Sequence, residues 1–99
     1  MSALRDASYD DSMAKAMKDP HEAAAYVDAV MQLDDPTALL VALRHVANAH
    51  GMAEVARRAG VGDKTLFKAL SAEGNPTLVT VHKVLAAVGL RLSVTTAHV

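Results

Sequence analysis

The sequence contains no cysteine, and none of its apolar runs approaches the roughly 20 residues that a membrane-spanning helix needs. The lack of cysteine excludes disulfides and thiolate metal ligands, and it is compatible with a reducing compartment. The opening residues, MSALRDASYDD, have no basic segment followed by an apolar stretch, so no export signal is predicted. We therefore expect a soluble, cytoplasmic protein of 99 residues, which is the length of one small domain.

Charge is unevenly distributed along the chain, although the net charge is only −1. Residues 1–36 carry eight acidic and three basic side chains, whereas residues 37–99 carry seven basic and three acidic ones. This separation is typical of a protein with one surface facing phosphate and another facing a basic partner. It is equally compatible with two ordinary solvated faces.

The segment from 52 to 71, MAEVARRAGVGDKTLFKALS, has the spacing of two short helices joined by a tight turn. Gly60 supplies a left-handed residue that ends the first helix, and the small Ala56 allows the two helices to approach closely. The pattern predicts a helix-turn-helix, which lays its second helix in a DNA groove; an ordinary helical hairpin is the alternative. The apolar residues of the two facing sides are Val55, Ala56, Ala59, Val61, Leu66, Ala69 and Leu70.

Three further helices are predicted around this motif. Asp19-Pro20 opens one that extends to about Leu33, with Glu22 reaching back to the cap, and Asp35-Pro36 opens another that Gly51 ends. After a turn in which Gly74 takes a strained dihedral, a last helix extends from about residue 78 to 88. The residues expected to be buried on these helices are Ala23, Tyr26, Val27, Val30 and Met31; Leu39, Leu40, Leu43, Val46 and Ala47; and Leu78, Val81, Val84, Leu85 and Val88.

The two ends of the chain show weaker patterns. Residues 9–18 are predicted as a short first turn that packs Met13 and Met17, so residues 1–18 form an acidic, partly ordered segment and residues 19–99 a single domain. Residues 90–95, LRLSVT, alternate apolar and polar side chains, which predicts a short strand that pairs with a second copy or a partner. A tail packed on the core is the alternative.

Segments along most of the chain, from about residue 9 to 94, resemble the addiction-module antidote proteins: DDP at 34–36, LLVALR at 39–44, HGMAEVAR at 50–57, LFKALS at 66–71, GNP at 74–76 and KVLAAVGL at 83–90. The resemblance implies an all-α, lambda-repressor-like helix-turn-helix domain of about five helices, to which the short C-terminal strand is added. It also implies an antitoxin whose toxin belongs to the RelE/ParE superfamily and which represses its own operon.

The chain departs from that family at the start of the second motif helix, where Gly62 and Asp63 replace Ser followed by Arg or a polar residue. Asp63 is predicted to take over as N-cap; a carboxylate that accepts a hydrogen bond from cytosine is the alternative. Val79 stands where many repressors place an Asp or Ser cap, and this role is left to Thr77 or Thr80.

Five candidate DNA-contacting residues lie in or beside that second helix. Its two lysines are expected to reach guanine acceptors, its threonine a thymine methyl group or a phosphate, and the two preceding arginines backbone phosphates. Phe67 either closes the core against Val84 or a partner, or contacts a base. One copy reads only a few base pairs, so operator binding predicts a homodimer with half-sites about 34 Å apart. The five residues are Lys64, Thr65, Lys68, Arg57 and Arg58.

No catalytic constellation stands out, and the five histidines are scattered without carboxylates at ligand spacing. We therefore expect no enzyme activity, no metal site and no cofactor. The acidic N-terminal half is expected to bind the basic RelE/ParE-like toxin, beside operator binding by the motif. The alternatives are a protein-interaction module that uses the helix-turn-helix only as a scaffold, and an orphan transcriptional regulator.

Overall fold

The computed structural model describes residues 12–97. Within this part of the chain the six helices are α1 over 12–18, α2 Pro20–Met31, α3 Pro36–His50, α4 Met52–Ala59, α5 Asp63–Ala69 and α6 Leu78–Ala87. The predicted all-α class is confirmed, with one helix more than expected because residues 12–18 are helical beyond a single turn. None of these helices has both the length and the apolar character needed to cross a membrane.

The first helix confirms part of the prediction for residues 9–18. Met17 is buried in the core and Met13 packs against its edge, as expected from their spacing. Residues 9–11 of the predicted turn lie outside the described part of the chain. The division into residues 1–18 and 19–99 stays a prediction.

An aspartate caps the N-terminus of each of α2 and α3. Asp19 accepts a 2.8 Å hydrogen bond from the amide of His21, and Asp35 accepts bonds of 3.1 and 3.2 Å from the amides of residues 37 and 38. The reciprocal bond predicted from Glu22 is wrong, because the amide of Asp19 donates to the carbonyl oxygen of Ala16 at 3.0 Å. Because α1 ends directly before α2, the last turn of α1 supplies the carbonyl oxygen that accepts this bond.

The second helix ends at Met31, two residues before the predicted end. The amides of Leu33 and Asp34 bond to carbonyl oxygens three residues back, and Asp34 has a φ of +54°. The left-handed conformation at Asp34 turns the chain toward Pro36, where α3 begins. Tyr26 of α2 then reaches α3, where its hydroxyl lies 2.9 Å from Nδ1 of His45.

All six helices contribute side chains to one core. The prediction was wrong at Met31 and Leu78, whose side chains are 45% and 72% exposed. Both lie at a helix end, where no neighbouring helix covers them. Ala42, in the middle of α3, is fully buried although it was not among the residues predicted to be buried. The central members of the core are Met17, Ala23, Val27, Leu43, Val46, Ala47, Val55, Ala56, Leu66, Leu70, Val84, Leu85 and Val88.

The turn between α5 and α6 forms as expected, but for a different reason at Gly74. Its φ is not positive, and a Cβ built there would lie 2.1 Å from the carbonyl oxygen of Ala69. Close approach of the backbone, not a strained dihedral, therefore requires glycine. Thr77 then caps α6 by accepting a 3.1 Å hydrogen bond from the amide of Thr80, which confirms one of the two caps considered.

The segment after α6 is not a strand. Gly89, with a φ of +83°, ends the helix, and the amide of Leu90 closes the last turn on the carbonyl oxygen of Leu85 at 2.8 Å. Residues 91–97 have no regular secondary structure, and no strand occurs anywhere in residues 12–97. Because Leu90 and Leu92 pack against the core, their alternation reflects a tail with one apolar side, which was the alternative interpretation.

Candidate nucleic-acid interface

The two helices α4 and α5 pack against each other across the turn at 60–62. Gly60 is left-handed, with a φ of +71°, and the amide of Val61 bonds to the carbonyl oxygen of Ala56 at 3.0 Å. A Cβ at Gly60 would meet nothing within 4 Å, so the need for glycine is purely conformational. Ala56 and Leu66 are fully buried between the helices. The predicted helix–turn–helix order and its facing sides are therefore present.

The start of α5 differs from the prediction, because Gly62 and not Asp63 is the N-cap. The carbonyl oxygen of Gly62 accepts the first helical bond, from the amide of Leu66 at 2.9 Å, and no side chain caps the helix. Asp63 is the first residue of α5 and is exposed. Its carboxylate there interacts favourably with the positive end of the helix dipole.

Restoring a side-chain cap at this position is expected to stabilise the protein. The φ of Gly62 is −69°, and a Cβ would meet only Oγ1 of Thr65, at 3.6 Å. We expect Gly62→Ser to raise the free energy of unfolding by about 0.5–1 kcal/mol, measured by urea denaturation.

The neighbouring glycine supplies the control for this change. Gly60→Ser should lower the free energy of unfolding by about 1–2 kcal/mol, because the serine would have to adopt the left-handed conformation. If the two variants changed stability in the same direction, the assignment of Gly62 as an uncapped N-cap would be wrong.

The outer face of α5 carries the predicted lysines and threonine. Lys64, Thr65 and Lys68 are all exposed, at positions i, i+1 and i+4, while Leu66 on the opposite face is buried. Phe67 is 60% exposed, whereas Val84 is only 1% exposed. Phe67 therefore does not close the core over Val84, and it shares the exposed surface with the lysines.

The two predicted arginines are engaged by a residue that sequence reasoning missed. Arg57 donates to Oε1 of Glu54 through Nε, at 2.7 Å, and through a second guanidinium nitrogen. Nε of Arg58 lies 3.7 Å from the same oxygen, and its Nη1 donates to the carbonyl oxygen of Ala87 at 3.3 Å. The spacing of Glu54 to the arginines, i+3 and i+4 on one helix, was a signal that could have identified it.

These ion pairs are weak competitors for a phosphate. All three side chains are solvent-accessible, and exposed pairs of this kind contribute roughly 0.2–1 kcal/mol. A phosphate therefore needs to displace only a small interaction to bind Arg57. The carboxylate of Glu54 nevertheless lowers the local positive potential.

A second group of basic side chains lines a groove between α4 and α6. Arg58 from α4 lies on one side, and His82 and Lys83 lie on the other. Neither His82 nor Lys83 was among the predicted site residues. No α5 residue lines this groove, so it is a basic feature separate from the lysines of α5. Within residues 12–97, no three histidine or carboxylate side chains lie close enough together to form a metal site.

The fold and this surface define a small all-helical domain whose helix–turn–helix presents basic side chains to solvent. The chain belongs to the family described as "Probable addiction module antidote protein", whose model matches residues 7–96. This confirms the antidote resemblance, and an antidote implies a toxin partner. The chain is also 38% identical to a Haemophilus influenzae protein named "Uncharacterized protein", over 85 residues that cover 86% of this chain and 88% of that protein. No solved structure matches it.

Proposed function

We propose that this protein is the antitoxin of a cytoplasmic type II toxin–antitoxin module. In this proposal it neutralises a RelE/ParE-like toxin by binding it, and it represses its own operon by binding operator DNA as a homodimer. The observation that carries the proposal is membership of the antidote family over residues 7–96. Its role is binding and not catalysis.

The DNA-binding part is supported by the exposed face of α5. A helix that reads the major groove needs one face anchored in its own domain and the other free to reach base edges and phosphates. Leu66 anchors α5, and Lys64, Thr65 and Lys68 lie on the exposed side. The lambda-repressor-like arrangement implied by the sequence resemblance gives this face its proposed role, with Arg57 and Arg58 on the backbone phosphates.

The toxin-binding part is supported by the charge of α2 and the turn after it. This region has five carboxylates and no lysine or arginine: Asp19, Glu22, Asp28, Asp34 and Asp35. Among residues 12–97 the recorded ion pairs all involve Glu54, so none of these five is neutralised by a basic side chain there. A basic partner is attracted to such a surface and oriented by it.

Expression with the adjacent reading frame tests the proposal. We expect that frame alone to arrest growth, and co-expression of this protein to restore growth and yield a complex that co-purifies. The purified protein should also retard a fragment of its own promoter in a gel, with steep dependence on salt concentration. Neutralisation without retardation would favour a protein-interaction module, and retardation without neutralisation would favour an orphan regulator.

A further inference from the structure

A largely apolar groove lies between α2 on one side and, on the other, the end of α6 with the segment that follows it. One wall is formed by Ala24, Val27 and Met31 of α2, and the other by Leu85, Leu90 and Leu92. Its volume is about 420 Å³, which is room for a few side chains and not for a folded element. Met31, which the sequence predicted to be in the core, instead lies partly exposed along this groove. An exposed methionine beside leucines suits adaptable contact with a partner.

The edge of the groove along α2 is acidic. Asp28 lines that wall, and its recorded bond within residues 12–97 is a 3.2 Å hydrogen bond from Gln32, one turn further along. Asp28 is the only carboxylate among the lining residues, and the opposite wall carries Arg91, while the wider region 19–35 around the α2 wall has five carboxylates and no lysine or arginine. His21 is the remaining titratable residue that lines the groove. The site therefore combines an apolar floor with one carboxylate on the α2 wall, within a region of the chain that is acidic overall.

We propose that this groove is the docking site for the toxin. It takes a segment of that basic protein which presents apolar side chains to the floor and lysine or arginine side chains to the α2 edge. The inference rests on the proposed function, because the partner is the toxin of the same module. It adds that the site is built from both ends of the described chain, with residues 89–95 forming one wall.

Charge distinguishes this occupant from a second copy of the chain. A two-fold contact uses the same patch on both protomers, so it would bring two copies of the 19–35 region, each with five carboxylates and no lysine or arginine, into one interface. Like charges in that position repel. A basic partner gains from the same carboxylates, which is why the toxin fits the groove better than another copy does.

Two neighbouring alanines of α2 allow a matched test. Ala24 and Ala25 are both exposed, but only Ala24 lines the groove. With the purified product of the adjacent reading frame as probe, we expect Ala24→Arg to raise the Kd by about tenfold or more, since the new side chain fills the groove and repels a basic segment. Ala25→Arg adds the same side chain one position away and should leave the Kd unchanged. Met31→Lys, at a position already partly exposed, is a second variant if Ala24→Arg does not fold.

The outcomes of this binding test distinguish failure of the groove assignment from failure of the proposed function. If the wild-type protein does not bind the probe, the proposed function and the groove assignment both fail. If the wild type binds and both Ala24→Arg and Met31→Lys bind equally well, the groove assignment is overturned while the antitoxin function stands. Equal weakening by Ala25→Arg, or a change in self-association without weaker toxin binding, would also overturn the assignment.

Discussion

Replacing Gly74 by alanine is expected to lower the free energy of unfolding by about 2–3 kcal/mol, near the upper end of the usual cost of overpacking. A Cβ would lie 2.1 Å from the carbonyl oxygen of Ala69, 2.6 Å from its carbonyl carbon and 2.7 Å from the carbonyl oxygen of Lys68. These are backbone atoms at the end of α5, so no side-chain rotation relieves the contact. Either the helix end or the loop must move.

Urea denaturation followed by circular dichroism measures this effect, and the thermal midpoint should fall by about 10–20 °C for a domain of this size. Gly62→Ala is the control, because its Cβ meets only Oγ1 of Thr65, at an ordinary 3.6 Å. We expect that variant to lose no more than about 1 kcal/mol, from poorer helix capping. Similar losses in the two variants would contradict the steric explanation for Gly74.

The position of Gly74 links this stability effect to the candidate interface. Its close neighbours are Lys68 and Ala69, the last two residues of α5. A shift of the loop away from a new Cβ would therefore also displace the end of the helix that carries Lys68. Partial loss of DNA binding by Gly74→Ala at temperatures where the variant remains folded would be consistent with this coupling.

Features that depend on neighbouring residues were predictable from the sequence. The Asp-Pro pairs at 19–20 and 35–36 begin helices because the cap and the proline act within one turn, and Gly60 ends α4 because only its own dihedrals are involved. Local reasoning failed at the start of α5. There, the backbone path of the preceding turn decides whether Gly62 or Asp63 takes the N-cap position. Residue preference alone favoured Asp63.

Features that depend on distant parts of the chain were not predictable. The apolar stripe of α2 includes Met31, but the pattern could not show that the neighbouring helices leave that end uncovered. The alternation at residues 90–95 fits a strand and a packed tail equally well, and the packing of Leu90 and Leu92 on the core decides between them. The groove beside α2 was missed for the same reason, since its walls come from opposite ends of the described chain.

Within the candidate interface, the sequence predicted which side chains are exposed better than it predicted which side chains contact one another. The sequence identified Lys64, Thr65 and Lys68 as an exposed set, and the structure leaves all three on the surface. It did not identify Glu54 as the partner of both arginines. The motif therefore has freely accessible lysines and partly neutralised arginines, which makes the lysines the stronger test of DNA binding.

Replacing both Lys64 and Lys68 by alanine is expected to weaken binding to the protein's own promoter fragment by about a thousandfold. A homodimer loses four lysines, and about 1 kcal/mol for each gives about 4 kcal/mol in total. If these lysines contact phosphates, the slope of log affinity against log salt should also fall by about 4 units, since each phosphate contact contributes about 0.9. Loss of affinity with an unchanged salt slope would instead indicate contacts to guanine. Titration at several salt concentrations measures both quantities.

Two controls separate local contacts from overall charge. Lys15 and Lys18 on α1 are also exposed, so changing both to alanine alters the net charge equally but leaves α5 intact, and the salt slope should not change.

Glu54→Gln should act in the opposite direction to the α5 variant, since it removes a carboxylate that binds Arg57 and Arg58 and leaves both arginines available to phosphates. If the α1 and α5 variants weakened binding equally, the attraction would be diffuse and α5 would not be the helix that meets DNA. If neither variant changed binding, the protein would contact DNA through another surface, and the exposed face of α5 would not be the DNA-binding element.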